Sequence, residues 1–197
     1  MKIDNILILG STFLTELVVN ELKRNGFNLI GYVPNKIRST VLGNIDLEEK
    51  DLSCDYDLAL SVQYDSLIEP NEKTFNVHTG LLPRFGGLDI LRHTINEKER
   101  EQGVTFHRMT NTYDFGPIVN KITYPVLPND TEKDLYKRLC TVTPPFIVSC
   151  LRLLRNMSVE AIDDCVSEKP RLLEREYKKD PIPLTNKELG ELCNACY

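Results

Sequence analysis

The sequence predicts an α/β fold: a Rossmann-like, mostly parallel central sheet flanked by helices, with a short C-terminal extension. The first observation is the pattern of residues 6–33, which has an apolar run, a glycine turn, apolar residues at helical spacing and a second apolar run. This is a βαβ unit, whose strands are parallel and whose connection is right-handed. The second observation is a pair of apolar runs at residues 57–63 and 75–78, each of which ends in polar residues. Ligands of open parallel sheets bind at the carboxyl ends of strands, so these ends are candidate binding positions.

Length and charge limit the domain organisation and the partners. The chain of 197 residues suits one domain, which we place at residues 1–157, followed by an extension at residues 158–197. The formal net charge of −5, without a long run of Lys and Arg, argues against a nucleic-acid-binding protein. No apolar run approaches the ~20 residues that span a membrane, and the N-terminal apolar run is too short for the core of a signal peptide. We therefore expect a cytoplasmic protein without a membrane partner.

The six cysteines have no spacing that indicates a disulfide framework. Cys140 and Cys150 lie in helix-like sequence, where cysteine acts as a small apolar residue. Cys193 and Cys196 form a single CxxC without the second ligand pair that a zinc site needs. We expect no metal.

The N-terminal half of the chain supplies two strand ends with possible ligand contacts. The turn at Gly10 has only one glycine and is a weak candidate for an anion site at the start of a helix. Residues 34–56 are charged and irregular, and too few for a further helix-and-strand repeat with loops. Residues 64–68 then follow the apolar run at 57–63 and lie at the carboxyl end of that predicted strand.

The most informative segment is FNVHTGLLPRFGG, at residues 75–87. Side chains alternate along a strand, so Asn76 and His78 are expected on the same face. Thr79-Gly80 ends the strand and leaves an amide and an imidazole uncovered, which is a plausible catalytic arrangement. For the isolated pattern, the favoured interpretation is that the two polar side chains form hydrogen bonds with local backbone.

The following segments predict a short helix and a hairpin. Residues 88–96 have Leu88 on an apolar helix face, and His93 is interpreted as a surface or edge residue of this helix without a special role. Residues 103–109 and 119–126 read as strands, joined by a loop rich in turn-forming residues that carries Asp114. By itself, an aspartate in such a loop is more often a turn residue than a catalytic one.

The C-terminal part is predicted to be mainly helical. A broad apolar face over residues 131–154 indicates a helix packed on the sheet, and Pro144-Pro145 is expected to kink this helix or to split it in two. A capping-box pattern, Thr185 to Glu188, predicts a short terminal helix.

Two motifs resemble a known family. FNVHTGLLPRFGG is similar to the N-x-H-x-S/G-L-L-P-x-x-x-G signature of the formyltransferases that use 10-formyltetrahydrofolate. GVTFHRMTNTYDFGPIV resembles the second signature of that family, G-x-T-x-H followed by D-x-G-P-I. The interval of 36 residues from His78 to Asp114 (114 − 78) is the one expected for the catalytic His and Asp of the family.

The resemblance implies a site and an activity. Asn76, His78 and Asp114 would be the catalytic residues, and His107 would be a supporting residue. The pterin end of 10-formyltetrahydrofolate would contact two segments, largely through backbone groups: Tyr64, Asp65, Ser66, Leu67 and Ile68, and Thr110, Asn111, Thr112 and Tyr113. The reaction would be transfer of a formyl group to a primary amine by the domain at residues 1–157, without a metal. The protein could act as a homodimer.

Departures from the family pattern leave the acceptor open. Gly10-Ser11-Thr12-Phe13 replaces the GSGSN-like phosphate loop of glycinamide ribonucleotide formyltransferases, and the region at residues 34–56 is shortened. A nucleotide-linked amino sugar is the preferred small-molecule acceptor, with glycinamide ribonucleotide as the second choice. Two different functions also fit the motifs: a hydrolase that releases formate from the same folate, and a non-catalytic folate-binding module.

Overall fold

The computed structural model describes residues 1–36, 43–66 and 68–173. A six-stranded sheet has the order β2-β1-β3-β4-β6-β7, and a second sheet pairs β5 with β8. The strands are β1 (Ile6–Leu9), β2 (Leu29–Val33), β3 (Leu58–Val62), β4 (Thr74–His78), β5 (Gly86–Gly87), β6 (Glu101–Arg108), β7 (Ile118–Pro125) and β8 (Leu172–Leu173). The helices are α1 (Phe13–Arg24), α2 (Ile90–Asn96), α3 (Glu132–Arg155) and α4 (Val159–Asp163).

The sheet confirms the predicted α/β Rossmann-like fold. Strands β1 to β4 of the large sheet are mutually parallel, and β6 and β7 add an antiparallel hairpin beside β4. Helix α1 begins after Thr12, whose side chain accepts a hydrogen bond from Thr15 N–H in a capping box, as the sequence of a strand–turn–helix unit requires. The strand ends of β1, β3 and β4 therefore meet at one edge of the sheet.

The main core lies between one face of the sheet and helices α1 and α3. Alternate residues of the central strands, such as Ile8, Leu60 and Phe75, belong to this core. The intervening residues, including Leu7 and Leu9, face the other side, where the segments at 54–56 and 64–68 provide the cover. Among the described residues, side chains from loop segments therefore pack against this second face.

Three expectations for the helices need correction. Helix α3 runs unbroken through Pro144 and Pro145 and is not split, because residues on both sides of the prolines, such as Leu139 and Ile147, are fully buried in the core. Helix α2 begins at Ile90 rather than Leu88, and Leu88 is 50% exposed instead of packed.

His93 is not a surface residue: it is 5% exposed. Its helix lies between two apolar clusters, since Leu91 packs in the main core while Ile90 packs with Phe85. The helix is consequently covered on more than one side.

The first part of the extension packs on the sheet domain. Ile162 of α4 is buried in the main core, and Arg108 of β6 pairs with Asp163. The predicted terminal helix with Thr185 and Glu188, and the CxxC at Cys193 and Cys196, lie outside the described residues. None of the helices in the described ranges is both long and apolar enough to cross a bilayer.

Candidate active site

The carboxyl end of β4 carries two polar side chains on one face. In the register of β4 with its antiparallel neighbour β6, Asn76 lies opposite His107, and His78 lies opposite Thr105. The alternate residues Phe75 and Val77 belong to the main core, so the four polar residues face away from α1 and α3. The sequence thus builds a polar strip on the sheet face that loops cover.

His78 contacts an acceptor on each side of its ring. Nδ1 lies 3.2 Å from Oδ1 of Asp114, and Nε2 lies 2.5 Å from the carbonyl oxygen of Phe85. Burial disfavours the charged ring, but the hydrogen bond and charge of Asp114, with the Phe85 carbonyl, outweigh it and raise the pKa of His78. Two acceptors on one imidazole favour the form in which both nitrogens carry a proton.

Asp114 is held in the β6–β7 loop by its backbone and by a second contact. Its φ of 51° is left-handed, a conformation that aspartate tolerates better than most residues. Oδ2 accepts a hydrogen bond of 2.7 Å from Gly87 N–H, while Oδ1 faces His78. Burial raises the pKa of Asp114, but the hydrogen bond and charge of His78 and the Gly87 N–H lower it overall. Asp114 and His78 therefore form an ion pair that is largely shielded from solvent.

His107 contacts the side chain of Asn76 and the backbone of Arg108. Burial, with a contribution from the charge of His78, lowers the pKa of His107 to about 4, so the ring is neutral near pH 7. Its Nδ1 lies 3.0 Å from the Arg108 carbonyl and its Nε2 lies 3.2 Å from the amide nitrogen of Asn76. The carbonyl requires a donor at Nδ1, which leaves Nε2 to accept from the amide. This contact orients the Asn76 side chain, and the supporting role of His107 stays a prediction.

Two buried residues of β6 hold the turn that follows β4. The hydroxyl of Thr105 donates to the Gly80 carbonyl at 2.7 Å and accepts from Leu82 N–H at 3.0 Å. Oε1 of Gln102 accepts from Leu81 N–H at 3.2 Å. The sequence motifs alone assigned no role to either residue, although Thr105 lies in the G-x-T-x-H motif and alternates with His107. That alternation was the available signal.

The segment predicted at the end of β3 is only partly a polar surface. Tyr64 and Ile68 pack against the apolar cluster on the second sheet face. Asp65 accepts a hydrogen bond from Lys36 N–H at 3.0 Å and one from Ser66 Oγ at 3.1 Å. Leu67 lies outside the described residues. The side chains of this segment therefore support the loop, and its backbone is the part that a ligand could contact.

The second predicted segment is an open loop next to Asp114. Thr110 stabilises it from within, since its hydroxyl donates to the Thr112 carbonyl at 3.2 Å. Asn111, Thr112 and Tyr113 are exposed, and Tyr113 is 64% exposed. Gly116 closes the loop, because a Cβ at this position would lie 2.1 Å from the Arg108 carbonyl oxygen.

The turn after β1 is filled by side chains of the chain itself. Ser11 N–H donates to Oδ1 of Asn35 at 2.7 Å, and the hydroxyl of Thr12 donates to Oε1 of Gln63 at 2.8 Å. Gly43 packs so closely on this turn that a Cβ would lie 2.3 Å from the Thr12 carbonyl oxygen. These backbone groups are consequently less available to an anion than a bare helix start would be.

Comparison with known proteins relates the central part of the chain to a known family. Residues 62–151 match the family described as formyl transferase, and this region includes β4, Asn76, His78 and Asp114. This part of the chain is therefore similar to formyl transferases. The chain is 30% identical over 130 residues to the bifunctional polymyxin resistance protein ArnA of Wigglesworthia glossinidia brevipalpis, covering 66% of this chain and 20% of that protein.

Two solved structures illustrate the shared fold. The N-formyltransferase from Helicobacter canadensis, in complex with folinic acid and dTDP-3-aminofucose, has a TM-score of 0.72 at 19% identity, covering 99% of this chain and 81% of the other. Glycinamide ribonucleotide transformylase 1 from Symbiobacterium toebii has a TM-score of 0.66 at 22% identity, covering 78% of this chain and 88% of the other. The chain spans from a fifth to about half the length of the curated relatives it matches.

Proposed function

We propose that this protein is an N-formyltransferase that transfers a formyl group from 10-formyltetrahydrofolate to the primary amine of a small acceptor. The observation that carries the proposal is the ion pair between His78 and Asp114, 3.2 Å apart beside Asn76, at the carboxyl end of β4. The match of residues 62–151 to the formyl transferase family supports the same reaction class.

The loop next to Asp114 fits the donor. Asn111, Thr112 and Tyr113 would hold the pterin end, with Thr110 and the backbone of residues 64–68 as further contacts. The exposed ring of Tyr113 suits a flat ligand such as a pterin. When bound, the donor supplies an activated formyl group, and the residues of the chain act on the charge and proton that its transfer displaces.

Asn76 and His78 would stabilise negative charge on the formyl oxygen. The Asn76 amide has two N–H bonds; one is directed at His107, which fixes the orientation of the other. The charged ring of His78 lies on the same strand face, and its Nε2–H, now on the Phe85 carbonyl, would be shared with the formyl oxygen. One oriented donor of this kind is typically worth ~10²–10³ in rate.

Asp114 would keep His78 charged and accept the proton that the amine loses. The amine loses one proton on forming the amide, and the departing nitrogen of tetrahydrofolate gains one. A pair consisting of a carboxylate and an imidazolium can pass this proton on without a net change in its own charge.

For the acceptor we propose a nucleotide-linked amino sugar. The side chains of Asn35 and Gln63 occupy the turn after β1, where a ribonucleotide phosphate would have to bind to backbone groups. This favours the sugar over glycinamide ribonucleotide. The match to the Helicobacter canadensis enzyme, whose complex contains a dTDP-linked aminofucose, supports this choice.

An amine panel tests the proposal. The protein is incubated with 10-formyltetrahydrofolate and either glycinamide ribonucleotide or one of several nucleotide-linked amino sugars, and the formylated amine and free formate are quantified. We expect formylation of an amino sugar and little formate without an amine. Rapid formate release without an amine would instead identify a hydrolase, and folate binding without any turnover would identify a non-catalytic module.

A further inference from the structure

We propose that residues 166–173, here called the strap, are a positioning element of the active site, and that Arg171 is the residue through which the strap acts. The strap holds the loop at residues 83–87 against His78 and Asp114. The inference rests on the proposed function for the roles of these two residues.

Arg171 joins the strap to two other parts of the chain. Its N–H donates to the Pro83 carbonyl at 2.8 Å, and its own carbonyl accepts from Gly86 N–H at 3.1 Å. Its guanidinium group donates to both carboxylate oxygens of Glu97, at 2.9 and 2.6 Å. The next two residues of the strap form β8, which pairs with β5 in the same loop. One residue thus connects the loop to the end of α2.

The other end of the strap is attached to the sheet. Val166 accepts a hydrogen bond of 3.0 Å from Ile118 N–H at the start of β7. Just before it, Ile162 is buried in the core and Asp163 pairs with Arg108. The strap is therefore attached to the sheet at residue 166 and to the loop at residues 171–173.

The loop transmits this constraint to both members of the ion pair. Gly86 donates a hydrogen bond to the Arg171 carbonyl and lies between two residues whose backbone contacts the site. The Phe85 carbonyl accepts a hydrogen bond from His78 Nε2, and Gly87 N–H donates one to Asp114 Oδ2. A shift of the loop would weaken both contacts together. Because both contacts favour the charged forms, release of the loop should return the pKa of His78 towards its ordinary value.

Single substitutions separate the backbone contact from the charge. Arg171→Pro removes two groups: the backbone N–H that donates a hydrogen bond to the Pro83 carbonyl, and the guanidinium group that contacts Glu97. Arg171→Gln removes only the guanidinium group. Arg171→Lys tests rescue by a conservative change. Lys169→Gln, at an exposed position on the same strap, is the matched control because it removes the same charge two residues away.

Two readouts are measured for each full-length variant: formyl transfer as a function of pH, and the pKa of His78 by NMR. The chain has three histidines, so the signal of His78 can be assigned by its absence from the His78→Ala spectrum. Asp114 and His107 are the titratable groups that face His78, and none of the strap variants alters them.

We expect graded losses. Arg171→Gln should reduce turnover about two- to fivefold at neutral pH, as for loss of an exposed ion pair. Arg171→Pro should reduce it about tenfold, because a backbone hydrogen bond is also lost. Both losses should be smaller at acidic pH, where His78 is charged regardless, and the pKa of His78 should fall in the same order. Arg171→Lys should recover part of the loss, and Lys169→Gln should match wild type.

A strap that only stabilises the fold would give a different result. Arg171→Pro would then lower the unfolding midpoint without moving the pKa of His78 or the pH profile, and this would overturn the inference. Should Arg171→Pro fail to fold, Arg171→Gln and Glu97→Gln decide the question by the same pKa criterion. The titration needs no substrate, so it tests the strap even if the proposed formyl transfer fails.

Discussion

Thr105→Val removes one buried hydroxyl and leaves two backbone groups of the turn at residues 80–82 without their partner. The hydroxyl now donates to the Gly80 carbonyl at 2.7 Å and accepts from Leu82 N–H at 3.0 Å, and Thr105 is fully buried. Each unsatisfied buried group costs about 1–3 kcal/mol. Valine has nearly the same shape and opens no cavity, so we expect the free energy of unfolding to fall by about 2–6 kcal/mol.

The assay is urea unfolding of three variants, with formyl transfer measured in parallel. Thr105→Ser keeps the hydroxyl and should recover most of the stability that valine loses. Thr141→Val is the matched control, because the hydroxyl of Thr141 donates a hydrogen bond to the Lys137 carbonyl at an exposed position of a helix. The free energy of unfolding of this variant should stay within about 0.5 kcal/mol of wild type. A loss below about 0.5 kcal/mol in Thr105→Val would refute the assignment of this hydroxyl to the turn.

Three further predictions concern the site itself. Asn76→Ala should lower turnover ~10²–10³-fold with the fold intact, and a rate within a few-fold of wild type would remove Asn76 from the mechanism. Asp114→Asn removes the carboxylate that raises the pKa of His78, so the basic limb of the pH–rate profile should move to lower pH, which NMR titration of His78 would confirm or contradict. Gly80→Ala would place a Cβ 2.6 Å from the Phe85 carbonyl oxygen and 2.8 Å from His78 Nε2, and should cost about 1–3 kcal/mol in urea unfolding; unchanged stability would contradict the close packing.

The elements that the sequence predicts correctly are those with a clear local pattern of apolar residues. The βαβ unit over residues 6–33 has apolar strands and a helical repeat, and its elements match the structure within a residue or two. The hairpin of β6 and β7 was predicted from alternation and turn residues, and it places Asp114 in its loop as expected. Asn76 and His78 lie on one face because strand period alone requires it.

The remaining features depend on contacts between distant segments. Strands β5 and β8 have two residues each and pair across more than eighty positions, which no local pattern encodes. His93 became buried because its short helix lies between two clusters, and α3 continues through Pro144 because core packing outweighs the lost hydrogen bonds. The contacts of Phe85 and Gly87 with the ion pair are made by backbone groups, and backbone groups leave no signature in the sequence.

The central claim is tested most directly by formyl transfer in wild type and in His78→Ala. Each protein is incubated with 10-formyltetrahydrofolate and the best amine of the panel, and the formylated amine is quantified by mass spectrometry against the tetrahydrofolate produced. We predict equal amounts of both products in wild type. His78→Ala should still fold, with a lower unfolding midpoint because the Asp114 carboxylate loses its partner, and its rate should be at least ~10²-fold lower. Equal rates of amine formylation in the two proteins would contradict it.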